Sequence, residues 1–180
     1  MENADTEVLK QLTHWIETGQ MAWLCTVVKT WGSSPRPIGS LLCCNDEGHV
    51  VGSLSGGCIE EDLLERLKDG KLAKEKPELL IYGATEEEVE RFQLPCGGQL
   101  HVIIEPMANK MYLPELQQIV NRIAARECIE RTLDIATGNM QIKEKERFKH
   151  LVFVGDFDNN ENEGKTLTQT YGPRFQLFLI

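Results

Sequence analysis

Two cysteines stand in glycine-rich loops, Ser55-Gly56-Gly57-Cys58 and Leu94-Pro95-Cys96-Gly97-Gly98. Glycine pairs admit backbone angles closed to other residues and let a ligand approach the main chain. Cys58 is followed by an amphipathic helix, whose free N–H groups point at the loop. An anion such as a phosphate suits that place, and the same field favours a thiolate. Glu60, Glu61 and Asp62 oppose both effects, so anion binding there needs a cation from elsewhere. Arg36 is the candidate. It closes a proline-fixed loop, Trp31-Gly32-Ser33-Ser34-Pro35-Arg36, whose Trp31, Ser33 and Ser34 suit a planar, phosphorylated ligand. Each cysteine loop taken alone also suits a tight turn with a small packed cysteine. The pair is harder to explain as packing. One loop leaves a strand and the other enters one, so antiparallel strands in one sheet would set both at the same edge. Cys58 and Cys96 are then expected to face one cleft, with Arg36 at its rim.

The remaining candidates are weaker. Cys25, Cys43 and Cys44 fall in apolar strands, where cysteine behaves as a small hydrophobe, and Cys128 reads as the end of a helix. His14, His49, His101 and His150 have no motif partner, and Glu105 beside Pro106 is a minor candidate base. No CxxC pair or Cys/His cluster has zinc-finger spacing.

The elements that must position these loops follow from periodicity. Val8, Leu12, Trp15 and Ile16 make one face of a helix over 5–18; Ile59, Leu63, Leu64 and Leu67 line a second over 59–69. Thr85 and Glu88 have capping-box spacing and open a short helix. Pro114 suits the first turn of a helix over 113–127. Strands are predicted at 22–30, 40–44, 49–54, 79–82 and 99–105, joined in one mixed sheet. Arg131 to Ala136 reads as a strand turned by Gly138-Asn139 toward Gln141-Ile142, and His150 to Val154 as another. The fold class is therefore α/β, a mixed sheet with flanking helices.

Composition bounds the function. The chain has 180 residues, 41% hydrophobic and 26% charged, which suits a globular domain with a real core. A net charge of −9 disfavours nucleic acid and anionic membranes as partners. No apolar run approaches the ~20 residues of a membrane helix, and the acidic start Met1-Glu2-Asn3-Ala4-Asp5 lacks a signal-peptide core. A cytoplasmic protein is expected, with its six cysteines as thiols.

Three ordered motifs resemble the N-terminal domain of the XdhC/CoxI family. They are Thr30-Trp31-Gly32-Ser33-Ser34-Pro35-Arg36-Pro37-Ile38-Gly39, Gly52-Ser53-Leu54-Ser55-Gly56-Gly57-Cys58-Ile59-Glu60, and Leu94-Pro95-Cys96-Gly97-Gly98. The likeness spans roughly residues 8 to 106. The family comprises accessory factors of molybdenum hydroxylases such as xanthine dehydrogenase. The resemblance implies that the molybdenum cofactor (molybdopterin) is bound as cargo, protected during sulfuration and delivered to the apo-enzyme. A xanthine dehydrogenase-type molybdoenzyme and a cysteine desulfurase are the implied partners, and a homodimer stands open. Cys58 and Cys96 are then candidate molybdenum-facing thiolates, since soft ligands suit such a centre. Gly56, Gly57, Gly97, Gly98, Arg36, Ser33, Ser34 and Glu60 complete the candidate cofactor-binding set. Family members also carry a Rossmann-type domain whose first strand resembles 171–180. The expected organisation is thus an XdhC/CoxI-like domain over 1–145, a polar linker over 146–170, and the opening strand of a truncated second domain over 171–180.

Two other functions compete. A thiol sulfurtransferase or oxidoreductase would work through Cys58 or Cys96, and a docking module would hold no ligand. No nucleophile–base pair or metal triad can be assembled from the sequence, which favours a maturation chaperone over a turnover enzyme.

Overall fold

The computed structural model describes residues 4–30, 36–55, 58–92, 94, 98–108, 110–149, 151–155 and 163–173. The expected strand over 174–180 and His150 lie outside these residues.

The chain runs α1 (Ala4–Glu17), β1 (Ala22–Thr30), β2 (Leu41–Asn45), β3 (Val50–Gly52), α2 (Cys58–Lys68), β4 (Glu78–Tyr82), α3 (Glu86–Arg91), β5 (Leu100–Pro106), α4 (Leu113–Ala124), β6 (Cys128–Asp134), β7 (Met140–Lys145), β8 (Val152–Val154) and β9 (Thr166–Tyr171). The first five strands form one sheet in the order β3-β2-β1-β5-β4; the last four form a second, β7-β6-β9-β8. The class is α/β with flanking helices, as expected. The predicted mixed sheet, however, is antiparallel at every pairing. The β1–β2, β2–β3 and β4–β5 connections, α3 included, return the chain to the sheet end that it left, whereas α2 carries it from the end of β3 across to the opposite end, where β4 begins. A helix between two strands looks the same in sequence whether the chain crosses the sheet or turns back.

Alternation sorts the first sheet into two faces. Trp23, Cys25, Val27, Leu42, Val102, Ile104 and Tyr82 pack against Ile59, Leu63 and Leu67 of α2. Each such aliphatic side chain contributes roughly 1.5–3 kcal/mol when buried. On the other face, Leu24, Leu41 and Cys43 meet α1, α4, Ile129 and Tyr171, while Val28 and Ile103 meet Leu133, Ile135 and Leu167. The second sheet therefore packs on the first, beside two helices, and α2 covers the opposite side.

Two local expectations change. Cys128, read as a helix end, begins β6. The stretch 146–170, expected as a polar linker, carries β8 and most of β9. Thr166, Thr168 and Gln169 gave β9 a polar look. Its inward side alternates Leu167, Gln169 and Tyr171, all buried, and polarity at the middle position masked the strand.

Candidate functional site

The antiparallel pairing gathers the three motif-bearing segments. β1 ends at Thr30, opposite Leu100 at the start of β5. Leu100 also lies opposite Tyr82, the last residue of β4. β3 ends at Gly52, opposite Leu42 near the start of β2. The segments 31–40, 53–57 and 83–99 thus leave one end of the sheet. That end is stepped. The β1–β2 ladder starts at Thr26 and Leu41, whereas β1, β5 and β4 run on to Thr30, past a bulge between Val27 and Lys29. The step is on the order of 10 Å at the usual rise per residue. Residues 39 and 40 line it, because Gly39 N–H donates to the Val27 carbonyl at 2.7 Å and Val27 N–H to the Ser40 carbonyl at 3.0 Å.

Cys58 is the first residue of α2. Among the described cysteines it is exposed, while Cys25, Cys43, Cys44 and Cys128 are buried. The acidic first turn below it is largely occupied internally. The Glu60 carboxylate turns back and accepts from Leu54 N–H and Ser55 N–H, both at 2.9 Å, and from the Ser53 hydroxyl at 3.3 Å. It clamps the segment leading to the glycine pair. Asp62 accepts from the Tyr82 hydroxyl at 2.9 Å and pairs with Arg66 at 2.8 Å and Arg91 at 3.5 Å. Burial, then Asp62, push the Tyr82 phenol upward. Of the three acids that oppose an anion at this helix start, Glu61 is the one left exposed without a partner of this kind. The electrostatic objection is smaller than the sequence implied.

At the third motif, Gly83 follows β4 with φ +85°, and a Cβ there would stand 2.4 Å from the Gly98 carbonyl. The exit of β4 and the entry to β5 are thus pressed together around a backbone that glycine alone accommodates. Arg36 is half-buried on the stepped end. Of the expected site residues, Arg36, Cys58, Glu60 and Gly98 are described; Arg36 and Gly98 belong to segments leaving this end, and Cys58 and Glu60 open the helix that follows the segment 53–57. Ser33, Ser34, Gly56, Gly57, Cys96 and Gly97 lie outside the described residues, and with them the expected approach of Cys58 to Cys96. Among the described residues no group of three or more His, Cys, Asp or Glu side chains is placed to hold a metal ion.

The buried cysteines pack, as expected. A hydrogen bond with Cys44 and then burial raise the Cys25 thiol well above its usual range. Burial pushes Cys43 up to about 12, and its Sγ donates to the Val8 carbonyl at 3.3 Å. Glu105, a minor candidate base, has a different role. Its two oxygens accept from Arg131 Nη1 and Nη2 at 2.6 and 2.8 Å, so the carboxylate is committed to an ion pair. Arg131 and Gln169 escaped the sequence reading. The available signal was a polar residue between two inward apolar ones: Ile129-Arg131-Leu133 and Leu167-Gln169-Tyr171.

Residues 15–83 match the model of the XdhC and CoxI family. The chain is similar to the molybdenum cofactor insertion chaperone PaoD of Escherichia coli (strain K12), 25% identical over 124 residues, which cover 67% of this chain and 36% of that protein. It is also similar to a probable xanthine dehydrogenase component of Bacillus subtilis (strain 168), 38% identical over 93 residues, or 50% of this chain and 28% of that protein. The chain thus spans about a third of the length of these curated relatives. Among solved structures, a xanthine dehydrogenase from Bacillus halodurans matches with a TM-score of 0.66 at 22% identity, covering 94% of this chain and 53% of that one. That likeness establishes the fold.

Proposed function

We propose, with residues 15–83 belonging to the XdhC and CoxI family, that this chain holds the molybdenum cofactor as cargo during the maturation of a xanthine dehydrogenase-type molybdoenzyme. The observation that carries the reading is that the strand ends Gly52, Thr30, Tyr82 and Leu100 all lie at one end of the sheet. There the segments bearing Arg36, Cys58 and Cys96 all depart. The insertion chaperone among its relatives supports the same reading.

In this reading the thiolates of Cys58 and Cys96 face the molybdenum-sulfur centre, for which soft ligands are suited. Arg36, with Ser33 and Ser34, takes the phosphate by charge-assisted hydrogen bonds. Gly56, Gly57, Gly97 and Gly98 let the pterin approach the main chain. Glu60 shapes the second loop through the amides of Leu54 and Ser55. Protection of the cargo while a cysteine desulfurase supplies sulfur, followed by transfer to the apo-enzyme, completes the proposal.

Titration of the purified chain with molybdenum cofactor under anaerobic conditions tests it. Binding is expected. Cys58→Ala and Cys96→Ala should each weaken it by ~10-fold to 100-fold, the scale of one lost soft ligand. Absence of binding by the unaltered chain overturns the reading. Turnover of a sulfur donor that depends on one cysteine alone would replace it with a sulfurtransferase.

A further inference from the structure

We infer that Gln169, on the second sheet, is a positioning residue for the segment that carries Arg36, and that it acts on cargo affinity without touching the cargo. The inference rests on the functional reading above for its second half. Its first half stands on geometry alone. Gln169 Nε2 donates to the Gly39 carbonyl at 3.0 Å, joining positions 130 residues apart in sequence. The Gln169 side chain is held in turn. Its Oε1 accepts from the Tyr171 hydroxyl at 3.1 Å, and that oxygen accepts from Arg131 Nε at 3.1 Å.

The donor sense of this chain is unambiguous. Arginine has no acceptor, so Tyr171 must accept from it and spend its one proton on Gln169. The Gln169 amide then has its oxygen toward Tyr171 and its nitrogen toward Gly39. Arg131 cannot turn away, because both Nη atoms bind Glu105. Glu105, Arg131, Tyr171 and Gln169 are all 5% exposed or less, so water does not compete for these bonds.

The receiving end is equally fixed. Gly39 has φ +92° and is bonded on both sides, its N–H to Val27 and its carbonyl to Gln169. Ser40 closes a turn onto the Pro37 carbonyl through its N–H at 3.1 Å and its hydroxyl at 2.6 Å. Arg36 immediately precedes that turn, and Pro37 restricts its backbone to extended angles. The place of Arg36 relative to the sheet is therefore set from β9, a strand far from the motif in sequence, as well as from Val27 of β1.

The test uses the full chain and two readouts. Gln169→Met keeps the bulk and removes both bonds. Amide hydrogen exchange at Gly39 and Ser40 should quicken by ~10-fold, the value of one buried hydrogen bond, while amides of β1 residues 23–26 keep their rates. Molybdenum-cofactor binding should weaken by ~10-fold, and the Gln169→Met, Arg36→Met double variant should bind no worse than Arg36→Met alone. Additive losses would overturn the positioning role, and so would unchanged exchange at Gly39. If the unaltered chain binds no cofactor, the functional reading fails while exchange still decides the anchor. If Gln169→Met does not fold, Tyr171→Phe replaces it. That variant frees the amide to turn round and should produce the same pattern in weaker form.

Discussion

Glu105 of β5 and Arg131 of β6 meet across the two sheets as a two-pronged ion pair, with side chains 2% and 1% exposed. Burial alone would lower the Arg131 guanidinium, but Glu105 and then Tyr171 outweigh it and raise it overall. The pair joins the sheets at a fixed register. It is costly to break singly, because either partner left alone is a charge without water.

Arg131→Met should therefore destabilise the chain by about 3–5 kcal/mol, and Glu105→Leu by a similar amount. The double variant should cost less than either single change, since it leaves no buried charge. Urea unfolding of the three variants measures this. Single variants within about 1 kcal/mol of the parent would mean that water reaches the pair.

Stability should fall at alkaline pH. Burial pushes the folded Cys43 thiol up to about 12 from an ordinary 9.0. A group raised on folding stabilises fully below its unfolded value and loses that contribution as pH rises toward the folded one. Cys25 and Tyr171 shift in the same direction. Between pH 9 and about 12 Cys43 should cost on the order of 1.4 kcal/mol per pH unit, with Cys25 adding to the slope above 9.0 and Tyr171 only above its ordinary 10.0. Urea midpoints measured at rising pH check the slope, and Cys43→Ala should make it shallower. A flat profile above pH 9 would contradict the burial of these groups.

Gly83→Ala should destabilise by roughly 2–3 kcal/mol, combining backbone strain with overpacking against the Gly98 carbonyl. Gly19 is the internal control. It has φ +78° with nothing within 4 Å of an added Cβ, so Gly19→Ala should cost only about 1 kcal/mol. Equal losses at the two positions would show that Gly83 is not pressed against Gly98.

The local elements were legible because their signals are local. Thr85 caps α3 by accepting from the Glu88 N–H, as its spacing implied. The Glu88 carboxylate, however, reaches Gly83 and Ala84 rather than the cap residue itself. The turn after β6 forms at Gly138, whose N–H donates to the Asp134 carbonyl. The three motifs were equally plain, since each is a short run of glycines, prolines and one reactive or charged side chain.

The sequence by itself determined the helices and strands of the first sheet, the α/β class, and the motif residues Arg36, Cys58 and Cys96. Periodicity, capping and turn chemistry depend on neighbours within a few positions, and a single chain displays them directly. Only the tertiary structure decided that the first sheet is antiparallel throughout, that Thr166–Tyr171 is a strand of a second sheet, and that Gln169 grips Gly39. These depend on which faces fill one another after the chain has folded. A glutamine between Leu167 and Tyr171 carries no mark of the carbonyl that it will meet. That partner is chosen when burial removes water and leaves each polar group to find the nearest complementary one.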